Sequence, residues 1–170
     1  MAIVPQDTFL FSDSIINNIR FSNENASFEE VVKAAELACA LEFVEGLEEG
    51  FYTEIGERGM GLSGGQKQRI SITRALVRES KVLILDDSTS ALDMETEYSL
   101  LKNLSKRENT STTFIIAHRI SAVKNADLII YLEDGEIKEK GTHEELLKVK
   151  GKYFDVYCSQ FKDFNLLEEE

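Results

Sequence analysis

The stretch Gly61-Leu62-Ser63-Gly64-Gly65-Gln66-Lys67-Gln68-Arg69, with Val82-Leu83-Ile84-Leu85-Asp86-Asp87 downstream of it, decides the fold. Ser63 and the two glycines after it put a hydroxyl and unobstructed backbone N–H groups at the positive end of a predicted helix, a ready place for an anion. The apolar run 82–85 reads as a buried strand that carries Asp86 to its carboxyl end, the edge at which open α/β sheets hold ligands. The two together predict an α/β protein with a phosphate-directed helix start and a strand-end carboxylate.

Two regions flank this pair. Over 12–78 the pattern is helical. Asp13 is expected to cap a helix over 14–20. Ser27-Phe28-Glu29-Glu30 is a capping box for an amphipathic helix with Val31, Ala34, Ala35 and Ala38 on one side, and a short helix follows over 41–47. Gly50 and the glycines of 56–61 break that run before Ser63 caps the next helix. From Lys81 on, strands alternate with helices, as in a parallel sheet with crossovers. The runs 82–85 and 113–117 are the predicted strands, with an Asp93-capped helix between them. Asp134-Gly135 between the extended runs 128–132 and 136–140 predicts a hairpin with a primed turn. Thr142-His143-Glu144-Glu145 is another capping box, opening a helix to about 148. The acidic end, 165–170, is expected to fray.

With 170 residues and 42% hydrophobic content, the chain can bury one core and is too short for two. Its charge of −12, from 31 acidic against 19 basic side chains, would repel a phosphate backbone and argues against nucleic acid as a partner. Lys67, Arg69 and Arg74 are read as a solvated helix face. No run approaches the roughly 20 apolar residues of a membrane span, and no signal peptide is visible, so attachment to a membrane is expected through a partner or a further segment. Cys39 and Cys158 have no C-x-x-C spacing and read as reduced structural thiols of the cytoplasm.

The motif order goes further than any one string. Leu62-Ser63-Gly64-Gly65-Gln66 resembles the signature of the ATP-binding cassette (ABC) family, and Leu83 to Asp86 its Walker B strand. Val4-Pro5-Gln6 resembles the Q-loop, Thr53-Glu54-Ile55-Gly56-Glu57-Arg58-Gly59 the exporter X-loop, Ser90-Ala91-Leu92-Asp93 the D-loop, and Ala117-His118-Arg119 the H-loop. No Gly-Lys-Ser or Gly-Lys-Thr occurs, so the Walker A loop has no match, and the chain is expected to be the C-terminal portion of a nucleotide-binding domain. The resemblance implies a P-loop NTPase (RecA-like) parallel sheet with a helical subdomain over about 12–78, an α/β core over 79–155, and a C-terminal helix or tail over 156–170.

It also implies roles. ATP and Mg²⁺ are the expected cofactors, with Asp86 and Gln6 toward the metal. Asp87, His118 and Gln6 are the expected catalytic group: Asp87 stands where the family usually has the glutamate that polarises the attacking water, and His118 would hydrogen-bond the γ-phosphate. Leu62, Ser63, Gly64, Gly65 and Gln66 would act in trans, on a nucleotide held by a second cassette. Asp93 would reach across the same interface, or simply cap its own helix. Glu57 and Arg58 would transmit closure or form a surface ion pair. Phe9 and Phe11 would pack against the coupling helix of a transmembrane domain or belong to an ordinary core, and His143 is assigned no chemistry.

Aspartate is one methylene shorter than glutamate. The resemblance therefore suggests a heterodimeric exporter whose own site is degenerate, and a slower but serviceable base is the other reading. The sequence predicts the ATP-hydrolysing part of an ABC exporter at the cytoplasmic face of a membrane, inactive alone for want of Walker A. A non-catalytic fragment and a soluble chromosome-maintenance ATPase are the alternatives. Against the latter stand the short helical insertion, the X-loop-like segment and the acidic charge.

Overall fold

Leu83 and Leu85, 1% and 0% exposed, sit in the middle of a parallel sheet, where an apolar run is paired on both edges. In the computed structural model β1 (Ala2–Val4), β2 (Val82–Asp86) and β3 (Thr112–Ile116) are hydrogen-bonded in the order β1-β2-β3. Val4 pairs with Leu85, and Asp86 with Ile116. The sequence reading treated 4–6 as loop and missed β1. Three residues are too few for a period to declare itself, and only pairing with β2 makes them a strand.

The structure describes residues 1–59, 61–107 and 111–167, without the side chains of Arg58 and of 162–167. The chain divides into two units, Met1–Ile116 and Ala117–Glu170. That division falls inside the span 79–155 that the sequence grouped as one core.

In the first unit, helices α1 (Ile15–Arg20), α2 (Phe28–Leu37), α3 (Leu41–Glu45) and α4 (Gly64–Leu76) precede β2, and α5 (Met94–Ser105) joins β2 to β3. The capping box on α2 forms as the sequence suggests, with the Glu30 N–H donating to Ser27 Oγ and the Ser27 N–H to Glu30 Oε2. The cap of α1 is a correction. Ser14 is the N-cap, and Asp13 sits one residue earlier, accepting from the Ser14 N–H at 2.7 Å and from Asn17 Nδ2 at 2.8 Å. One core joins Val4, Leu83 and Leu85 of the sheet to Ile15 and Ile19 of α1, Val31 and Ala35 of α2, and Ile70 and Ile72 of α4. Each fully buried Leu or Ile contributes about 1.5–3 kcal/mol.

The reading of the α4 cations as a solvated face is corrected as well. Arg69 and Arg74 are half-buried. Arg69 donates from Nη1 to the Cys39 carbonyl at 2.6 Å and lies over the Phe43 ring. Arg74 donates to the Asn18 carbonyl, Asn18 Oδ1 and the Phe9 carbonyl at 2.8, 2.8 and 2.9 Å. A helical period marks which face a residue occupies, but not whether a long cation on that face folds back onto neighbouring carbonyls.

The second unit holds α6 (Ile120–Val123), the hairpin β4 (Ile129–Glu133) and β5 (Glu136–Gly141), α7 (His143–Val149) and α8 (Lys152–Leu167). Asp134 and Gly135 both have positive φ, +53° and +76°, as a primed two-residue turn requires. Ile120, Ile129, Leu146 and Tyr153 form its core. Residues 168–170 of the expected frayed end lie outside the described residues.

Candidate functional site

The register of the sheet builds the site. Val4 is opposite Leu85, so two residues further along each strand Gln6 and Asp87 come side by side at the carboxyl edge, where Gln6 Nε2 donates to Asp87 Oδ2 at 3.1 Å. Asp86 is the last residue of β2, half-buried, and Asp87 turns away from the strand in the left-handed region at φ +45°. That conformation is uncommon outside glycine and carries about 1–2 kcal/mol of strain. Three hydrogen bonds hold it: the Asp87 N–H donates to the Ile116 carbonyl at 2.8 Å, and the Asp87 carbonyl accepts from Ser90 Oγ at 2.8 Å and from the Ser90 N–H at 3.4 Å.

The signature segment lies at the start of α4. Ser63 is the N-cap, accepting on Oγ from the Gln66 N–H at 3.2 Å, while the Ser63 N–H donates to Gln66 Oε1 at 2.8 Å. Ser63 and Gly64 are exposed, and Leu62, Gly65 and Gln66 are half-buried. Gly65 packs directly on the segment 90–93, where a Cβ would come within 3.1 Å of the Ala91 carbonyl oxygen and 3.7 Å of the Leu92 methyl. The sequence placed the two motifs in order but could not show that they touch.

Asp93 caps α5, accepting from the Thr96 N–H at 2.9 Å and the Thr96 hydroxyl at 2.7 Å. These bonds hold its carboxyl below the usual range, the Thr96 N–H contributing most. Ser90 and Ala91 are exposed and Leu92 is buried. Glu57 is exposed, and the segment 53–55 is stitched to α1 by the Ile15 N–H on the Thr53 carbonyl and the Ile55 N–H on the Asp13 carbonyl. Phe9 is 53% exposed and meets Phe11 edge to face at 5.1 Å, so it is no core residue.

His118 belongs to the second unit and is exposed. Gln160 of α8 clamps its loop, donating from Nε2 to the His118 carbonyl at 2.7 Å and accepting from the Ile120 N–H at 2.9 Å. Sequence reasoning missed Gln160, since a glutamine on a helix carries no signal of the loop it will meet. It also left His143 without a partner. His143 Nδ1 lies 2.7 Å from the hydroxyl of Tyr153, a contact that fixes α7 on α8.

The carboxylate oxygens of Asp86 and the amide oxygen of Gln6 are donors of the type that suits a hard cation such as Mg²⁺, which binds through one or two carboxylates and phosphate oxygens rather than a protein cage. The described residues fit that mode. The buried Ser88 hydroxyl, two residues on from Asp86, has no hydrogen-bond partner among the described residues.

The model of the ABC transporter family matches residues 1–90, which contain β1, the signature helix and the two aspartates. The chain belongs to the ABC transporter family. It is 52% identical over 160 residues to an ATP-dependent lipid A-core flippase of Pasteurella multocida, covering 94% of this chain and 28% of that protein. It is 48% identical over 169 residues to the uncharacterized ABC transporter ATP-binding protein YknU of Bacillus subtilis, covering 99% of this chain and 29% of the relative. A solved bacterial Atm1-family ABC exporter with ATP bound is similar at a TM-score of 0.90 and 42% identity, over 94% of this chain and 28% of that one. The α/β cassette fold expected from the motifs is therefore the observed one. The chain spans under a third of the length of these relatives.

Proposed function

We propose that this chain is the signature-bearing part of the nucleotide-binding domain of an ABC exporter, which hydrolyses ATP to drive transport at the cytoplasmic face of a membrane. The observation that carries the reading is the meeting of Gln6 and Asp87 at the sheet's carboxyl edge, with Asp86 beside them, in the unit that also packs the signature helix on the segment 90–93. Asp86 would hold Mg²⁺ through water, with Gln6 Oε1 as a second oxygen. Bound Mg²⁺ with ATP supplies charge neutralisation on the phosphates. Asp87 takes the proton of the attacking water. His118, on the loop that Gln160 clamps, would be the γ-phosphate contact that the family resemblance implies. Ser63 and the N–H groups opening α4 meet the nucleotide of a second cassette, where preorganised donors stabilise the charge of the transferring phosphoryl group. A transmembrane domain would dock near the exposed Phe9, and since lipid A-core flippases are among the relatives, a lipid-linked cargo is the first to try.

The Gln6 contact favours a working Asp87 over a degenerate one. Steady-state ATPase measurement on the intact transporter separates the two. Asp87→Ala and Ser63→Arg should each lower the rate about a hundredfold or more. If Asp87→Ala leaves the rate within twofold of the parent while Ser63→Arg abolishes it, the heterodimer with a degenerate site on this chain is the correct reading.

A further inference from the structure

We propose that Gln6 is the positioning residue of Asp87, compensating for the missing methylene by steering the short carboxylate; the inference rests on reading Asp87 as the hydrolytic base. The Asp87 backbone is held on both sides. Its N–H is tied to Ile116, its carbonyl accepts from Ser90 Oγ, and its φ of +45° lies in a narrow allowed well. What remains is rotation of a side chain with one methylene. The Gln6 amide, brought level with Asp87 by the Val4–Leu85 pairing, takes one carboxylate oxygen through Nε2.

Pro5 makes this contact geometrically dependable. Its ring fixes its own φ and holds Val4 extended, so the chain leaves β1 along a set path and delivers the Gln6 amide to the same point beside β2. With Oδ2 held by the amide, Oδ1 is the oxygen that takes the proton of the attacking water. A glutamate in place of Asp87 would gain an extra torsion and more reach, and would need the amide less. The short base and the steering amide thus form one functional unit.

A double-mutant cycle on kcat of the intact transporter at saturating Mg-ATP tests this. Asp87→Ala should lower kcat about a hundredfold and Gln6→Ala about tenfold, and the double variant should be no worse than Asp87→Ala within about twofold. In an Asp87→Glu background, Gln6→Ala should cost less than about threefold. Calorimetry without turnover supplies a second readout: Gln6→Ala should weaken the Kd for Mg-ATP by the same factor, within about twofold, in the Asp87→Ala background as in the parent, because the metal oxygen of Gln6 acts independently of the carboxylate. Multiplicative losses of about a thousandfold in the cycle, or a tenfold weaker Kd with kcat of Gln6→Ala unchanged, would overturn the proposal and make Gln6 a metal ligand only. An Asp87→Ala variant with parental kcat defeats the reading of Asp87 itself. A damaged Asp87→Ala with no coupling to Gln6 defeats this inference alone.

Discussion

A Cβ at Gly65 would press on the Ala91 carbonyl oxygen, whereas one at Gly64 would meet no atom of the described residues within 4 Å. Consecutive glycines of one motif therefore answer to different constraints, Gly65 to a neighbour within this chain and Gly64 to none among the described residues. Gly65→Ala should destabilise the fold by about 1 kcal/mol, because the atom that must yield belongs to backbone. Gly64→Ala should keep or raise the melting temperature, since alanine is favoured over glycine in a helix by up to about 1 kcal/mol. Yet Gly64→Ala should lower the transporter's ATPase rate about tenfold if α4 opens onto a second cassette's nucleotide. Thermal unfolding and ATPase assays on both variants check the split. Full activity in Gly64→Ala would remove the trans role from this helix start.

Helix α4 is held at the scale of elements by its two arginines. Arg74 joins α4 to Asn18 in α1 and to the Phe9 carbonyl, so one guanidinium ties the signature helix to the segment that follows Gln6. Asn18 is 1% exposed, and its Oδ1 also accepts from the Phe11 N–H at 2.9 Å. Arg74→Ala should cost about 3 kcal/mol in urea unfolding, and Arg74→Lys about 1–2 kcal/mol, because one ammonium cannot reach acceptors that a planar fork spans. Equal stability of the lysine variant and the parent would show that the fork is not what holds the elements together. Acid should loosen the helix starts together. Glu30, Asp93 and Glu145 each have a carboxyl held below its ordinary value by the backbone N–H it accepts from, those of Ser27, Thr96 and Thr142. A folded-state pKa below the unfolded one means that the stabilisation is complete above the ordinary values of 4.5 and 3.8 and is lost as pH falls through the folded ones. Helical circular dichroism should hold steady above about pH 5 and decline below about pH 4; a flat signal down to pH 2 would contradict it.

On the scale of the whole molecule, one side of the three-stranded sheet exposes apolar side chains around a half-buried Ile84. Ile3, Phe114 and Ile116 are 57%, 55% and 54% exposed, although Ile3 and Phe114 flank Ile84 in register across the sheet. An uncovered apolar sheet face and unpaired strand edges favour association. Residues 1–170 made alone should therefore scatter light as oligomers. They should also neither bind Mg-ATP tightly nor turn it over, because the sequence supplies no Gly-Lys-Ser or Gly-Lys-Thr to cradle the β- and γ-phosphates. A monodisperse monomer, micromolar binding, or turnover that survives Asp86→Ala would each contradict this.

What could be read along the chain was whatever a residue does with its near neighbours. The Ser27, Ser63 and Thr142 capping boxes close within three residues, the Asp134-Gly135 turn needs only its own φ angles, and the run 82–85 announces a buried strand by composition. The α/β class and the family followed from such strings in their order. The meeting of Gln6 with Asp87, 81 positions apart, of Arg74 with Phe9, and of Gly65 with Ala91 could not be read this way. Each depends on strand register or on how a helix lies against a loop, and no local pattern encodes either. The sequence by itself determined most of the elements, the three capping boxes and the chemical groups available, while β1 and the cap of α1 had to wait for the fold. Tertiary structure alone decided which of those groups share a hydrogen bond, because distance along the chain and distance in space become independent once a parallel sheet forms.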